Sequence, residues 1–241
     1  YVPGLAEFLV LEICRTEFDT VSRAVMYQGG TEVCSESALV DIIMSAGSSG
    51  HADAFFRNGI KPLHIGMKKR YRLPDLRKEV ILKPFITESV MALREIIQAE
   101  ELYWFNVYED MQLMDLLFRG FRALHGGEAA IREAVRAAMP NIPEVSVYAV
   151  FGAELSGMKG GAEKHMRTGL YLKNSSRICG SALAEAAAAA LGTDLAAGKY
   201  NAFELMAGDY ILRLREELRL DEYFYIREIG GDETISTDYE R

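Results

Sequence analysis

Four short apolar runs constrain this chain most: residues 7–14 (EFLVLEIC), 38–45 (ALVDIIMS), 102–108 (LYWFNVY) and 145–151 (VSVYAVF). Each has strand length and is bounded by polar residues, Gly or Pro. Such runs suit strands buried on both faces. Between them lie segments of helical spacing. Phe18, Val21 and Val25 share a helical face after Thr16, a good N-cap, and Gly29-Gly30 is a good stop. Ile86, Val90, Leu93 and Ile97 predict an amphipathic helix, and Met114, Leu117, Phe118 and Phe121 mark the buried face of the next. Residues 51–57 read as a short helix and residues 128–139 as a longer one. Ser175 or Ser176 caps an Ala-rich helix, and the face Phe203, Met206, Tyr210, Leu214 and Leu218 marks another. Residues 223–229 read as a last strand. Strands alternating with helices predict an α/β, or α+β, fold with helices covering sheet layers.

One pattern occurs twice. Residues 7–30 run apolar strand, amphipathic helix, Gly-Gly, and residues 102–127 do the same. Each copy precedes a strand and then a Gly/Ser loop, at 46–50 and 156–161. This predicts two pseudo-duplicated lobes, an N-terminal one over 1–98 and a C-terminal one over 99–229, with a polar tail at 230–241.

The chain of 241 residues has a net charge of −8, and about half of it is apolar. That length can bury a large core without a metal or a disulfide. The acidic balance argues against nucleic acid as a partner. Cys14, Cys34 and Cys179 are widely spaced and odd in number, which predicts free thiols and a cytoplasmic setting. No apolar run reaches the ~18 residues of a membrane span, so no membrane partner is expected. The sequence begins at Tyr1 rather than Met, which leaves room for a preceding segment, and no signal peptide is visible in it.

Two loops are the candidate ligand sites. The first, Ser45 to His51, joins a predicted strand to a predicted helix. Ser48, Ser49 and Gly50 there offer hydroxyls and close backbone approach to an anion. The alternative is a tight turn capped by serine. The second, SGMKGGAEKH at 156–165, gathers Lys159, Gly160, Gly161, Lys164 and His165, a flexible cationic loop suited to a phosphate or carboxylate. The alternative is a solvated surface loop. Arg177 falls in the first turn of the Ala-rich helix, where a cation opposes the helix dipole unless an anion is near. His165 and His51 follow the two loops and are the candidates for proton transfer near neutral pH. No zinc, Walker, GxGxxG or nucleophile-elbow pattern is present, so neither a cofactor nor a metal ligand set is assigned.

Glu12, Asp41 and Glu154 stand in or beside apolar runs and are candidates for buried carboxylates. Residues 68–78 carry Lys68, Lys69, Arg70, Arg72, Arg77 and Lys78 around Tyr71, a pattern that suits nucleic acid or a solvated strand edge.

These features predict a protein that binds a small anionic molecule at its Gly/Ser loops, whether or not it is an enzyme, and that forms a homo-oligomer through the helices at 111–124 and 182–190. Two alternatives stay open. One is a regulatory or nucleic-acid-binding module using the basic stretch. The other follows from topology: with residues 31–37 and 63–72 read as further strands, the order strand, helix, strand, strand, helix, strand over residues 7–72 resembles the bacterial microcompartment shell domain, and the duplicated pattern resembles its tandem, trimeric form. That resemblance implies a structural, self-assembling oligomer.

Overall fold

A computed structural model describes residues 4–31, 35–46, 51–66, 69–74, 76, 78–109, 111–139 and 148–233. Its elements, in chain order, begin with α1 (Leu5–Glu17), β1 (Thr20–Gly30) and α2 (Glu36–Ala46). Four short strands follow, β2 (His51–Ala52), β3 (Ala54–Arg57), β4 (Ile60–Pro62) and β5 (Tyr71–Arg72), and then β6 (Glu79–Ile86), α3 (Glu88–Ile97) and β7 (Glu101–Tyr108). Helices α4 (Met111–Arg122) and α5 (Gly127–Ala138) lead to the long strands β8 (Ala149–Lys159) and β9 (Ala162–Leu172). The chain continues through α6 (Ser175–Gly192), α7 (Ala202–Leu205) and α8 (Tyr210–Glu217) to β10 (Tyr223–Glu228).

The α/β class holds: the ten described strands form one mixed sheet in the order β10-β9-β8-β1-β7-β3-β4, with β6 also on β7 and β2 and β5 on β6. β1 is central, parallel to β7 and antiparallel to β8. One face of the sheet carries Ala24, Met26, Leu102, Trp104, Phe151, Ala153 and Leu170 against α1, α3, α6, α7 and α8. The other carries Val25, Tyr27, Tyr103, Phe105 and Val107, packed with Leu63, Ile65, Leu73 and Leu76 from the connection after β4. A third cluster joins α2, α4 and α5 through Leu39, Val40, Ile43, Leu116, Leu117, Ile131 and Val135.

Several local expectations are corrected. Residues 7–14 are helical, within α1, which is buried almost all round. A run apolar on every side carries no period, so length alone separated strand from helix, and it misled. Residues 20–30, read as a helix, form β1: Val25 and Tyr27 bury on one face while Ala24 and Met26 bury on the other, so strand alternation is hidden. Residues 38–45 lie in α2, where Leu39, Val40 and Ile43 share the buried face. Residues 51–57 are strands turned by Asp53 at positive φ.

The repeated strand-then-helix order is corrected with them. The first copy runs helix then strand, and the second, β7 then α4, runs strand then helix. The shell-domain order over 7–72 falls likewise, since those residues run helix, strand, helix and four short strands.

The expected helix at 86–97, strand at 102–108, helix at 128–139 and last strand at 223–229 match α3, β7, α5 and β10 within one or two residues. The Ala-rich helix is α6, capped by Asn174 rather than Ser175 or Ser176: its side chain accepts from the Arg177 N–H at 3.2 Å.

Candidate functional site

The second glycine loop is not a loop. Residues 156–159 finish β8, Gly160 and Gly161 turn the chain at positive φ, and β9 starts at Ala162. Two consecutive left-handed residues are what a two-residue hairpin of native twist requires, which explains the glycines without a ligand. Because strand neighbours point to opposite faces, the hairpin also separates the predicted cluster. Lys164 lies on the helix-covered side, 2.6 Å from Glu17 and 3.7 Å from Glu228, while His165 lies on the other. Lys159 pairs with Asp19 at 3.4 Å, and the Gly160 N–H donates to the same carboxylate. The Gly160 N–H and then Lys159 hold the Asp19 carboxyl below its ordinary value.

Arg177 stands at the far end of β9, which spans about 34 Å at strand rise. Its misfit with the helix dipole is relieved from within the protein: Nη2 meets Glu222 at 2.5 Å and Nη1 donates to the Glu217 carbonyl. Burial works to raise the Glu222 carboxyl, but the N–H groups of Arg219 and Lys173 and the Arg177 charge outweigh it and bring it below the usual range. His51 is exposed on β2, five strand steps or about 24 Å across the sheet from His165. Ser48, Ser49 and Gly50 lie outside the described residues.

What the fold does assemble is a polar row on the face opposite the long helices. Cross-strand register places His165 of β9 beside Ser156 of β8, Ser156 beside Arg23 of β1, Arg23 beside Glu101 of β7, and Glu101 beside Arg57 of β3. All five belong to the face of Tyr27 and Tyr103 by strand alternation. Ser156 Oγ and His165 Nδ1 are 2.9 Å apart, and His165 Nε2 lies 3.4 Å from Glu163. The Arg23 guanidinium lies 5.6 Å from the Tyr103 ring centre. Arg57 meets Glu101 at 2.6 Å and donates to the Tyr103 hydroxyl at 2.9 Å. A bulge at Ser22 shifts β1 by one residue against β8 and brings Arg23 level with Ser156.

The next row inward is Arg227, Arg167 and Glu154. Arg167 and Glu154 form a buried ion pair, and Arg167 Nη2 also donates to the Glu233 carbonyl. The segment after β10 therefore covers this row, and the Ile229 N–H bonds the His165 carbonyl. No protein-family model matches the chain, and no curated protein matches it.

Of the predicted site residues, only His165 joins this row. Glu154, singled out as a candidate buried carboxylate, lies directly behind it. Arg23, Ser156, Glu101 and Arg57 were missed, because a helix over 18–28 scatters residues that a sheet aligns. Among the described residues, one cleft of about 190 Å³ opens on the helical side, lined by Glu12, Glu17, Ile13, Ile211, Leu212 and Ile226. Its carboxylates make it a poor place for an anion. In the basic stretch, Lys78 pairs with Glu109, Arg72 faces Glu79 across β5 and β6, and Lys69 caps the Tyr71 ring, while Lys68 and Arg77 lie outside the described residues. No group of three His, Cys, Asp or Glu among the described residues is placed to hold a metal ion.

Proposed function

We propose that the polar row binds a small molecule bearing a phosphate or carboxylate, with Arg23 and Arg57 facing its charge and His165 placed for proton transfer. The observation that carries this reading is the register that sets His165, Ser156, Arg23, Glu101 and Arg57 side by side on five strands. Strands fix these groups more rigidly than a hairpin tip, and the two guanidiniums offer charge-assisted donors suited to a phosphate or carboxylate. The free thiols of Cys14 and Cys179 suit a reducing, cytoplasmic setting. Among the described residues, no helix is long and apolar enough to cross a membrane.

The test is a calorimetric screen of inorganic phosphate, sugar phosphates and dicarboxylates against the parent, Arg23→Ala and Lys159→Ala. Losing one charged contact weakens binding by roughly 1.5–3 kcal/mol, about ten- to a hundredfold. The loss is expected in Arg23→Ala and not in Lys159→Ala. The reverse result returns the site to the hairpin.

A second reading, self-association, is favoured by α6. Leu183 and Leu191, two turns apart on one side of this helix, are 63% and 90% exposed. A second copy of the chain laid against that stripe makes a symmetric pair. Light scattering on Leu183→Glu/Leu191→Glu, compared with the parent at micromolar concentration, distinguishes a dimer from a monomer.

A further inference from the structure

We infer that Ser156 is a nucleophile, activated by His165, and that the protein cleaves carboxylic esters or thioesters that carry an anionic group. A serine hydroxyl reacts when a neighbouring base takes its proton and a third group orients that base. All three positions are filled here. Ser156 Oγ lies 2.9 Å from His165 Nδ1, and the opposite ring nitrogen lies 3.4 Å from the Glu163 carboxylate. A proton on Nε2, facing Glu163, leaves Nδ1 as the acceptor for the serine proton. The two ring nitrogens exchange the roles they have in the familiar Ser-His-Asp arrangement, while the logic of nucleophile, base and orienting acid is kept. Ser156 is part-exposed and sits near the end of β8, with Arg23 of β1 as its register partner on the other side.

The sequence of bonds balances without a further reagent. Ser156 Oγ adds to the carbonyl carbon while its proton passes to Nδ1. The intermediate collapses, the bond to the leaving oxygen or sulfur breaks, and the leaving group takes the proton from Nδ1. Water then adds to the acyl-serine, gives a proton to Nδ1, and the serine departs with that proton. The products are the free acid and the alcohol or thiol. The preference for an anionic substrate rests on the binding reading above, whereas the reactivity of Ser156 does not.

The experiment uses the whole chain and two probes. A fluorophosphonate reagent reports a reactive serine, and p-nitrophenyl acetate, which is neutral, reports turnover independently of the anion site. Labelling that maps by mass spectrometry to Ser156 in the folded protein, disappears after heat denaturation, and falls at least tenfold in His165→Gln supports the proposal. Ester turnover should vanish in Ser156→Ala, and Arg23→Ala should lose its preference for succinate-type half esters over neutral ones. Ser156→Cys, nearly isosteric, should be alkylated at that thiol faster in the folded than in the unfolded chain. No labelling, labelling at another residue, or ester turnover unchanged in Ser156→Ala overturns the nucleophile. If Ser156 labels while Arg23→Ala keeps its substrate preference, the nucleophile stands and the anion site falls.

Discussion

Glu154 and Arg167 face each other across β8 and β9, both nearly sealed from water, with Arg167 Nη2 at 2.6 Å and Nε at 2.7 Å from one carboxylate oxygen. Charges taken out of water are held there by each other, and removing one strands the other. Glu154→Gln or Arg167→Met alone should therefore cost about 3–5 kcal/mol. The double replacement Glu154→Leu/Arg167→Met should recover much of that loss in urea titrations. Equal losses in single and double variants would show that the two side chains do not act as a pair.

Gly152 makes room for Tyr27. A Cβ on Gly152 falls 2.2 Å from Tyr27 Cζ, and Tyr27 is fully buried, so the ring has no path outward. Gly152→Ala should destabilise by roughly 1–3 kcal/mol, and Tyr27→Leu in the same chain should relieve part of it. Thermal unfolding of the two variants and their combination checks this coupling.

Glu222 ties the start of α6 to the turn before β10. Its folded-state carboxyl lies below the ordinary value, so its contribution is complete above the unfolded pKa and is lost as pH falls through the folded one. Glu222→Gln should lower stability near neutral pH by about 1–3 kcal/mol, since the N–H groups of Lys173 and Arg219 and the Arg177 guanidinium lose a charged acceptor. The difference from the parent should shrink below pH 4, where the parent carboxyl is itself being protonated. A difference that stays constant from pH 7 to pH 3 contradicts the assignment.

Burial pushes the Cys14 thiol up to about 12, so almost none of it is thiolate at pH 8. Iodoacetamide at that pH should leave Cys14 unmodified in the folded protein and modify the part-exposed Cys179 first. Peptide mapping before and after denaturation reads both sites.

The sequence disclosed some parts of this structure and concealed others for physical reasons. The face Val90, Leu93 and Ile97 of α3 and the run Leu102–Tyr108 of β7 were legible because one has a clear helical period and the other is short and rich in aromatic and β-branched residues. α1 and β1 were exchanged because both are buried on more than one side, which erases the period that tells helix from strand. The expected buried face of α4 was half right. Met114 and Leu117 are buried, but Phe118 and Phe121 are exposed while Gly120 lies against Ile43 of α2. The Gly-Gly of the hairpin and the cation at the head of α6 each had a structural explanation: a tight turn, and an acid reached from Glu222. The row containing Arg23, Ser156 and Arg57 was invisible, since it exists only once four strand registers are fixed.

β1 has β7 on one side and β8 on the other, and both are made after residue 98. During synthesis it therefore leaves the ribosome with neither neighbour present. β8 follows only at residue 149, a delay on the order of ten seconds at roughly 5–20 residues per second. Until β7 is made the nascent chain carries an apolar strand with two open hydrogen-bonding edges, and until β8 follows one edge stays open, the kind of segment that chaperones hold and that otherwise pairs with its neighbours on a polysome. Such a chain closes its central strand late, one edge after the other. Slower decoding across residues 31–148 should lower its soluble yield more than the same slowing after residue 172.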